Sequence, residues 1–357
     1  MSVEVLQLND AIEDEYERFL LSVENTLLYT SIRFRNFLQA VLKDVRPIYL
    51  VALEYGKIVG ALPCFVKYNS VYGNVLNSLP FFGSNGGIIV SPATDHGPAV
   101  KLALLDAFEK LSMRESVVAS TVITNPLDLD GACYESYGRY TLRDLRVGQV
   151  TRLSQCDGND EGLRNALMKI FHQKTRNSIR KAQKSGIRVL HSDSIQALEL
   201  LSELHHENFE AIGGTFKPWP IFAAVRDNFI YDRDYRVYIA ERNRDAIAAL
   251  LVFFFNRTAE YFTPATMQSE RTYQPMSLLI FEAMQDAARR GCVFWNWGGT
   301  WDTQVGVYRF KSRFGAEKLT YHYYVREFEP RLRNLRRETI LAEYQYFYVL
   351  PFTALNS

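Results

Sequence analysis

The sequence predicts an α/β (α+β) protein with two similar halves, each a mixed central sheet flanked by helices. The chain has 357 residues, which is more than one hydrophobic core usually supports. Stretches with apolar side chains at helical spacing alternate with short runs rich in β-branched residues. The order of helices and strands repeats, and the apolar hairpin at 52–62 resembles a second one at 240–250. These observations favour a duplicated unit.

The first half is predicted to begin with two helices and a β-hairpin. Its helical segments place apolar side chains three and four residues apart, whereas its strands are short runs of β-branched and apolar residues. Tyr55-Gly56 is a turn sequence that joins two strands. The predicted elements are helices at 12–23, 31–42 and 100–114, and strands at 48–53, 57–66 and 117–123.

The second half repeats this order. Its first helix, 163–184, is predicted as one long element that ends at Ser185-Gly186. A later helix begins at Pro275 and ends at Gly291, as expected from the preference of proline for the first turn and of glycine for the position after the last. The remaining helices are 194–212 and 305–314, and the strands are 187–190, 235–241, 246–255, 260–265, 292–297 and 318–325.

A polar stretch at 154–160 has the composition of a connector between the halves. We therefore expect an N-terminal domain at 1–145 and a C-terminal domain at 146–330. The last residues, 331–357, are first basic and then aromatic. They are expected to form a helical tail that packs on the body or on another subunit.

Charge and cysteine content argue against several classes of function. The formal net charge is +1, whereas proteins that bind nucleic acid along an extended surface usually have a basic excess, so no nucleic-acid partner is expected. The four cysteines have no metal-ligand spacing, which predicts free thiols and no metal site. Residues 1–11 lack the basic start of a signal peptide, and the apolar run 246–255 is too short for a bilayer. We expect a cytoplasmic protein without a membrane span.

Three segments of the second half resemble FemAB-like acyltransferases of the GNAT superfamily. They are the basic helix at 171–189, the strand-loop-helix-strand segment at 271–300, and the closing segment at 307–325 with its Phe-Lys-x-x-Phe-Gly sequence. Because FemAB-like proteins contain tandem GNAT folds, the resemblance implies two GNAT-like domains, in agreement with the duplication. It also implies the transfer of an acyl group to an amine.

Within that family, the chain most resembles N-acyltransferases of nucleotide-linked amino sugars, by its length and by the segments 78–87 and 296–317. The resemblance implies that acyl-CoA acylates an amino-deoxysugar such as a dTDP-3-amino-3,6-dideoxyhexose, for O-antigen, lipopolysaccharide or other surface polysaccharides. Two alternatives remain open: an aminoacyl-tRNA-dependent transferase that builds peptidoglycan cross-bridges, and a non-catalytic binding protein with the GNAT fold. Each is compatible with a homo-oligomer.

The resemblance also implies a site for the acyl donor between two neighbouring strands. The strands 260–265 and 292–297 would run parallel and splay apart, and the amides of the pantetheine arm would pair with the backbone groups left free. A strand N–H would stabilise the oxyanion, and the N-terminus of the helix at Pro275 would face the pyrophosphate, although the glycine-bearing loop of many GNAT enzymes is missing. The expected cofactor-binding residues are Thr263, Pro264, Ala265, Thr266, Arg271, Tyr273, Gln274 and Ser277.

Lys311, Asn296, Tyr308 and Asp302 are the expected catalytic residues. Lys311 matches the family lysine that faces the acceptor or the developing negative charge. Tyr308 lies in the region where GNAT enzymes have a tyrosine that protonates the leaving thiolate. The group that removes a proton from the acceptor is left open among His205, His206, His322, Asp302 and Glu282.

Acceptor binding is expected from aromatic, glycine and basic residues. Glycines permit close approach of a ligand to the backbone, and the indole rings that flank them offer faces for a base or a sugar. The stretch 162–192 contains basic but no acidic side chains and suits phosphate, and the loop 213–220 is expected to close over the acceptor. The expected residues are Arg176, Arg180, Lys217, Trp219, Trp297, Gly298, Gly299 and Trp301.

Overall fold

The computed structural model describes residues 3–80, 85–128, 131–154, 160–210, 216–301 and 303–356. The chain divides into two compact units: unit 1 is Met1–Arg146 with Thr320–Ser357, and unit 2 is Val147–Leu319. The boundary expected from the sequence, 145/146, lies one residue from this division. Residues 320–357, by contrast, group with unit 1 rather than forming the end of a second domain and a separate tail.

The first part of unit 1 combines helices with short strands. The helices are α1 (Glu13–Ser22), α2 (Ile32–Val41), α3 (Gly97–Arg114) and α4 (Ala132–Tyr137). The strands are β1 (Glu4–Gln7), β2 (Val45–Pro47), β3 (Leu50–Glu54), β4 (Lys57–Leu62), β5 (Phe65–Lys67), β6 (Asn74–Asn77), β7 (Ile89–Val90) and β8 (Val117–Ile123). The hairpin predicted from the sequence is β3–β4, and its turn contains Tyr55 and Gly56, both at positive φ as a tight hairpin turn requires.

These strands belong to two sheets. One sheet has the order β1-β3-β4-β7, and the other places β8, β6, β5 and β2 side by side, with β6 and β8 parallel. Helix α3 contributes Val100, Leu104 and Phe108 to the core of the unit. Gly60 of β4 permits this close packing, since a Cβ atom there would lie 2.4 Å from Val100 Cγ1.

Unit 2 contains the elements of the second half. Its strands are β9 (Leu142–Arg152, which begins in unit 1), β10 (Arg188–Ser192), β11 (Tyr235–Arg242), β12 (Asp245–Phe255), β13 (Thr258–Thr266) and β14 (Phe294–Thr300). Its helices are α5 (Asp160–Ile170), α6 (Gln173–Lys184), α7 (Ile195–Glu210), α8 (Trp219–Asn228), α9 (Pro275–Arg289) and α10 (Val305–Ser312). The hairpin predicted for the second half is β11–β12.

The sheet of unit 2 has the order β10-β11-β12-β13-β14-β9, in which β13 and β14 are parallel and the other neighbours antiparallel. Alternate side chains of β12, such as Leu250 and Val252, pack with α5, α6 and α9 in one core cluster. The opposite face, with Leu251 and Phe253, is covered by α7, on which α8 packs. The sheet is therefore enclosed between two helical layers.

The predicted helix 163–184 is wrong as a single element, because the structure has α5 and α6 with a break at Phe171-His172. Phe171 is buried against Phe281 and Phe314, and the His172 side chain caps α6 by accepting the Lys174 N–H at 3.1 Å. Because tertiary packing and a histidine cap produce this break, no glycine or proline marks it in the sequence. The sequence analysis also missed α8, which begins directly after Pro218.

The last elements are β15 (Glu317–Glu327), which begins in unit 2 and continues in unit 1, and the short helix α11 (Arg337–Glu343) of unit 1. β15 pairs antiparallel with β8 from Tyr323↔Ile123 to Glu327↔Ala119. The last segment packs on the same unit, where both side-chain groups of the Asn77 amide bond to the backbone of Tyr348 at 2.8 Å. Among the helices described, none has the length and apolar character needed to cross a bilayer.

Candidate functional site

The strands β13 and β14 diverge within the sheet of unit 2. They pair at Thr258↔Phe294, Ala259↔Trp295 and Glu260↔Asn296, and no later residue of either strand is paired with the other. Pro264 lies in the part of β13 that is not paired with β14, and its nitrogen, which has no hydrogen, costs no ladder bond there. The gap that opens after Glu260 is the feature expected from the sequence, and we call it the β13–β14 gap.

The backbone direction along β13 decides which groups face this gap. The Met267 N–H donates to Ile247 O at 2.9 Å, toward β12. Because backbone groups alternate along a strand, those of Ala265 and Thr263 also point to β12, whereas those of Pro264 and Thr266 point to the gap. Of the four β13 residues expected to supply a donor N–H, Thr266 is therefore the one whose N–H faces the gap.

A β-bulge lies at the point of divergence. The register of β13 with β12 passes from Tyr261↔Val252 to Thr263↔Leu251, so Phe262 is an extra residue. A bulge bends its strand and re-aims the side chains beside it. Here it turns β13 away from β14 directly after the last pair, and this local geometry accounts for the gap.

Lys311 of α10 bonds to β14, the strand that forms the second wall of the gap opposite β13. Its ammonium is buried and donates to Trp297 O at 2.9 Å, to Gly299 O at 3.1 Å and to Thr300 Oγ1 at 2.9 Å. Burial lowers the pKa of this ammonium to about 8. All three N–H groups are used within the protein, so the structure shows Lys311 bound to β14. The sequence had suggested instead that Lys311 is directed at an acceptor.

A buried glutamine that the sequence analysis missed supports the same wall. The Thr300 hydroxyl donates to Gln149 Oε1 at 3.0 Å, and Gln149 Nε2 donates to Tyr308 O and Ser312 Oγ, both at 3.1 Å. Gln149 is fully buried on β9. It thus joins the strand to α10, which carries Lys311. No local pattern identifies such a residue, because its partners lie more than 150 positions away along the chain.

Asn296 lies at the apex of the gap, opposite Glu260 in the last pair. Its Oδ1 accepts the Gly298 N–H at 2.9 Å, whereas its Nδ2, in a side chain 1% exposed, has no partner among the described residues. Gly298 adopts φ 71°, a conformation that favours glycine. Asn296 therefore shapes the turn of β14 and retains one buried donor.

The aromatic residues of this segment differ in exposure. Trp297 is buried among Trp295, Tyr261 and Phe314, and its Nε1 donates to Thr151 Oγ1 at 2.9 Å. Its ring is thus a core element, which contradicts the expectation that it stacks on a ligand. Trp301, by contrast, is 54% exposed, and Gly299 beside it is also exposed.

The open end of the gap is occupied by Asn208 of α7, which the sequence analysis did not identify. Its Nδ2 donates to Thr266 O at 2.9 Å, and its Oδ1 accepts from Arg271 at 2.8 Å. The N-terminus of α9 follows, with Gln274 at φ 63° and Ser277 buried in the first turn. A carbonyl of β13 is therefore already satisfied, whereas the Thr266 N–H remains directed into the gap.

The expected donor-site residues thus have different surroundings. Arg271 is exposed and bonds to Asn208, so a cation does stand near the start of α9. Tyr273 packs under the Arg242 guanidinium, 3.6 Å from the ring centroid, and Arg242 is paired with Glu270. The ring of Tyr273 is consequently covered on one face.

The basic residues of α6 also divide into two kinds. Arg176 donates to Phe171 O at 2.5 Å and Met168 O at 3.4 Å, at the end of α5, so its guanidinium has a structural role that the sequence did not predict. Arg180 is exposed, and its guanidinium makes a long contact, 3.4 Å, to Asn177 Oδ1. Of these two, Arg180 is the one directed to solvent.

The remaining expected residues are placed as follows. Tyr308 is half-buried on α10, one turn before Lys311, and Trp219 is 37% exposed at the start of α8. Lys217 is half-buried, with its ammonium on Thr263. Asp302 and part of the loop 213–220 lie outside the described residues. Within the described ranges, no group of three or more His, Cys, Asp or Glu residues is arranged to hold a metal ion.

A second concavity of about 570 Å³ lies beside α9, along β10 and β11. Most of its charged side chains are already paired: Asp286 accepts from Arg236 and the Tyr238 hydroxyl, Glu282 is paired with Arg164, and Arg289 with Asp160. A groove in which most charges are paired has less to offer a charged ligand. The β13–β14 gap is the better candidate site because its backbone groups lack a strand partner.

Comparisons with known proteins agree with this geometry. The FemAB family model matches residues 233–322, which include β12 to β14, α9 and α10. FemX is similar over 89% of this chain and 96% of its own, with 14% identity and a TM-score of 0.69. A tandem GNAT protein from the clavulanic acid biosynthesis pathway is similar over 91% and 98%, with 11% identity and a TM-score of 0.54.

A conserved protein of unknown function from Bacteroides thetaiotaomicron is also similar, over 91% of this chain and all of its own, with 11% identity and a TM-score of 0.59. No curated protein matches the sequence. The fold is therefore that of tandem GNAT proteins. The match of residues 233–322 to the FemAB family model agrees with the resemblance seen in the sequence.

Proposed function

We propose that the chain is an N-acyltransferase that moves an acyl group from acyl-CoA to the amino group of a nucleotide-linked amino-deoxysugar. The observation that supports this most directly is the β13–β14 gap, with the Pro264 carbonyl and the Thr266 N–H facing it. A pantetheine arm has secondary amides with one donor and one acceptor each. Such an arm can act as a short third strand between β13 and β14.

In the proposed reaction, the Thr266 N–H stabilises the negative charge that develops on the thioester oxygen. The acceptor amine, once neutral, attacks the carbonyl carbon. The C–N bond forms, the C–S bond breaks, and the thiolate leaves with a proton, for which the Tyr308 hydroxyl is the proposed donor. Lys311 contributes by fixing the wall of the gap through β14, and the geometry of attack supplies much of the rate enhancement.

The proposed acceptor site uses the exposed residues beyond β14. Trp301 offers a ring face to a sugar or a base, and Gly299 permits close approach of the ligand. Arg180, exposed on α6, is a proposed contact for the diphosphate of a nucleotide sugar. The substrates of this proposal are metabolites of the cytoplasm, which is the location we propose for the protein.

A second candidate is an aminoacyl-tRNA-dependent transferase. The likeness to FemX favours it, as does the row of exposed basic residues Arg180, Lys181 and Lys184 on α6. The two candidates use different donors, so ligand binding distinguishes them. We favour the CoA donor because the gap fits an amide-bearing chain and the net charge is only +1.

The test combines thermal stability with thiol release. Acetyl-CoA at a hundred times its Kd stabilises a folded protein by about 2.7 kcal/mol and should raise Tm, whereas deacylated tRNA should not. The purified protein is then incubated with acetyl-CoA and a panel of dTDP- and UDP-linked amino sugars, and free thiol is measured. A Tm that responds to tRNA and not to acetyl-CoA would favour the second candidate. The absence of thiol release with every acceptor would contradict the first.

A further inference from the structure

Lys217 and His205 form a polar pair on the face of the unit 2 sheet that α7 covers. The Lys217 Nζ donates to Thr263 Oγ1 at 3.3 Å and lies 5.0 Å from the centroid of the Phe262 ring. Phe262 is the extra residue of the bulge and Thr263 directly follows it. The ammonium of Lys217 therefore lies on the part of β13 that has parted from β14.

The end of the Lys217 side chain is enclosed although the residue as a whole is half-buried. The packing of Phe262 and Thr263 against the amine removes water from it, and this burial lowers the pKa of Lys217 to about 8. Lys217 donates a single hydrogen bond to a described side chain, in contrast to the three donated by Lys311. Its nitrogen consequently has capacity for a further partner.

His205 supplies an independent sign of a ligand at this place. Its Nε2 accepts the backbone N–H of Lys217 at 3.2 Å, which assigns the imidazole proton to Nδ1. Nδ1 has no partner among the described residues, and the side chain is 3% exposed. A buried donor without an acceptor costs free energy unless a ligand satisfies it. Burial also lowers the pKa of His205 to about 4, so this imidazole is a hydrogen-bond donor and a poor base.

We infer that Lys217 is the base that takes a proton from the acceptor ammonium, with His205 Nδ1–H donating a hydrogen bond to the same acceptor. This inference rests on the proposed N-acyltransferase function and identifies the residue that the sequence left open. It selects Lys217 over the five candidates named from the sequence, among which His205 becomes a binding residue.

The proton balance of the step is simple. The neutral Lys217 amine accepts one proton from R–NH₃⁺ and later releases it to water. The R–NH₂ so formed attacks the thioester carbonyl and the C–S bond breaks. Tyr308 gives its proton to the leaving thiolate, which becomes CoA–SH, and takes the second amine proton in return. The products are an amide, free CoA and one proton in solution.

The pH dependence follows from the free form of the base. Below pH 8 most Lys217 is protonated and cannot accept a proton, so the rate should rise as the pH passes through about 8. Charged or titratable groups near it are His205 and His206 on α7 and Glu260 on the same face of β13, while Arg226 and Asp227 of α8 are exposed. His205 titrates far below this range and does not contribute to the same limb.

The experiment compares wild type with Lys217→Met, Lys217→Arg and Lys217→Ala, using acetyl-CoA and the amino-sugar nucleotide that gives thiol release. Lys318→Met, at an exposed lysine of β15, is the matched control. We expect kcat to fall at least 100-fold in the Met and Arg variants, with an unchanged KM for acetyl-CoA and without the limb near pH 8. Added ethylamine should restore part of the rate in Lys217→Ala, which a purely structural role would not permit.

A measurement without turnover accompanies the kinetics. Trace acetic anhydride labels neutral amines, so the labelling of the Lys217 peptide as a function of pH, followed by mass spectrometry, titrates this residue directly. A midpoint near 8 is expected, and a midpoint above 10 would overturn the inference. Wild-type transfer with the same pH profile in Lys217→Met would overturn the role of Lys217 alone. No transfer by wild type with any acceptor would overturn the proposed function and this role together.

Discussion

Replacement of Lys311 by methionine tests the electrostatics of the gap. The change leaves Trp297 O, Gly299 O and Thr300 Oγ1 without their donor. Each buried acceptor left without a partner costs roughly 1–3 kcal/mol. Removal of the buried charge offsets part of this loss, since a fall in pKa from 10.5 to about 8 corresponds to about 3 kcal/mol at pH 7. We expect a net loss of about 2 kcal/mol in the free energy of unfolding.

The sign of the pH effect is the stronger test. Between about pH 8 and 10.5 the folded protein has a neutral Lys311, whereas the unfolded chain has a charged one and so binds more protons. Stability from this residue therefore rises with pH across that window and is constant below it. From pH 7 to 9.5, the difference in unfolding free energy, wild type minus Lys311→Met, should increase by about 2 kcal/mol.

Urea denaturation at pH 7, 8 and 9.5 measures this difference for wild type, Lys311→Met and the surface control Lys318→Met. Other titrating groups, including Lys217 and the buried tyrosines, are common to all three proteins and cancel. The control should track wild type at every pH. A difference that does not change between pH 7 and 9.5 would refute the argument, because the folded ammonium would then have the pKa of an exposed lysine.

Three further predictions concern the strands and helices around the gap. Thr266→Pro removes the N–H that faces the gap, so it should abolish the Tm shift with acetyl-CoA and change the Tm of the free protein little. Ala265→Pro removes an N–H that faces β12 and should instead lower the Tm of the free protein. Equal effects of the two variants would contradict the assigned strand direction. Arg176→Ala removes the donor to Phe171 O and should lower the free energy of unfolding, measured by urea denaturation, by about 1–3 kcal/mol. Arg180→Ala should leave this free energy unchanged and weaken binding of the nucleotide sugar, measured by calorimetry. Gly298→Ala should destabilise the protein by about 1–2 kcal/mol because of its φ of 71° alone, since no atom obstructs the added methyl group. Gly306→Ala, at a helical position that is equally open, should be neutral or stabilising. A Gly298→Ala variant as stable as wild type would show that the turn of β14 tolerates a side chain.

The divergence of β13 and β14 links the fold to the proposed chemistry. A regular parallel pair would use its backbone groups internally, whereas a bulge at Phe262 and the contacts of Lys311 separate the two strands. The separation costs hydrogen bonds that a ligand with amides can restore. The binding energy of such a ligand thus depends on a defect in the sheet that the protein itself stabilises.

The sequence by itself determined the features that depend on regularly spaced apolar residues or on proline and glycine at the ends of an element. Apolar spacing located both hairpins, and the pair Pro275 and Gly291 bounded α9. The resemblance of the segments at 271–300 and 307–325 indicated the FemAB-like family. These signals are local, because a helix or a turn depends on residues a few positions apart.

Only the tertiary structure decided which groups meet. The N–H of Thr266 and not that of Thr263 faces the gap because of the register of β13 with β12. Lys311 was expected to face an acceptor, whereas its N–H groups bond to β14. Gln149 and Asn208 were missed for the same reason. Their partners are distant in sequence, and contacts of that kind follow from strand pairing and helix packing, which no short pattern of residues specifies.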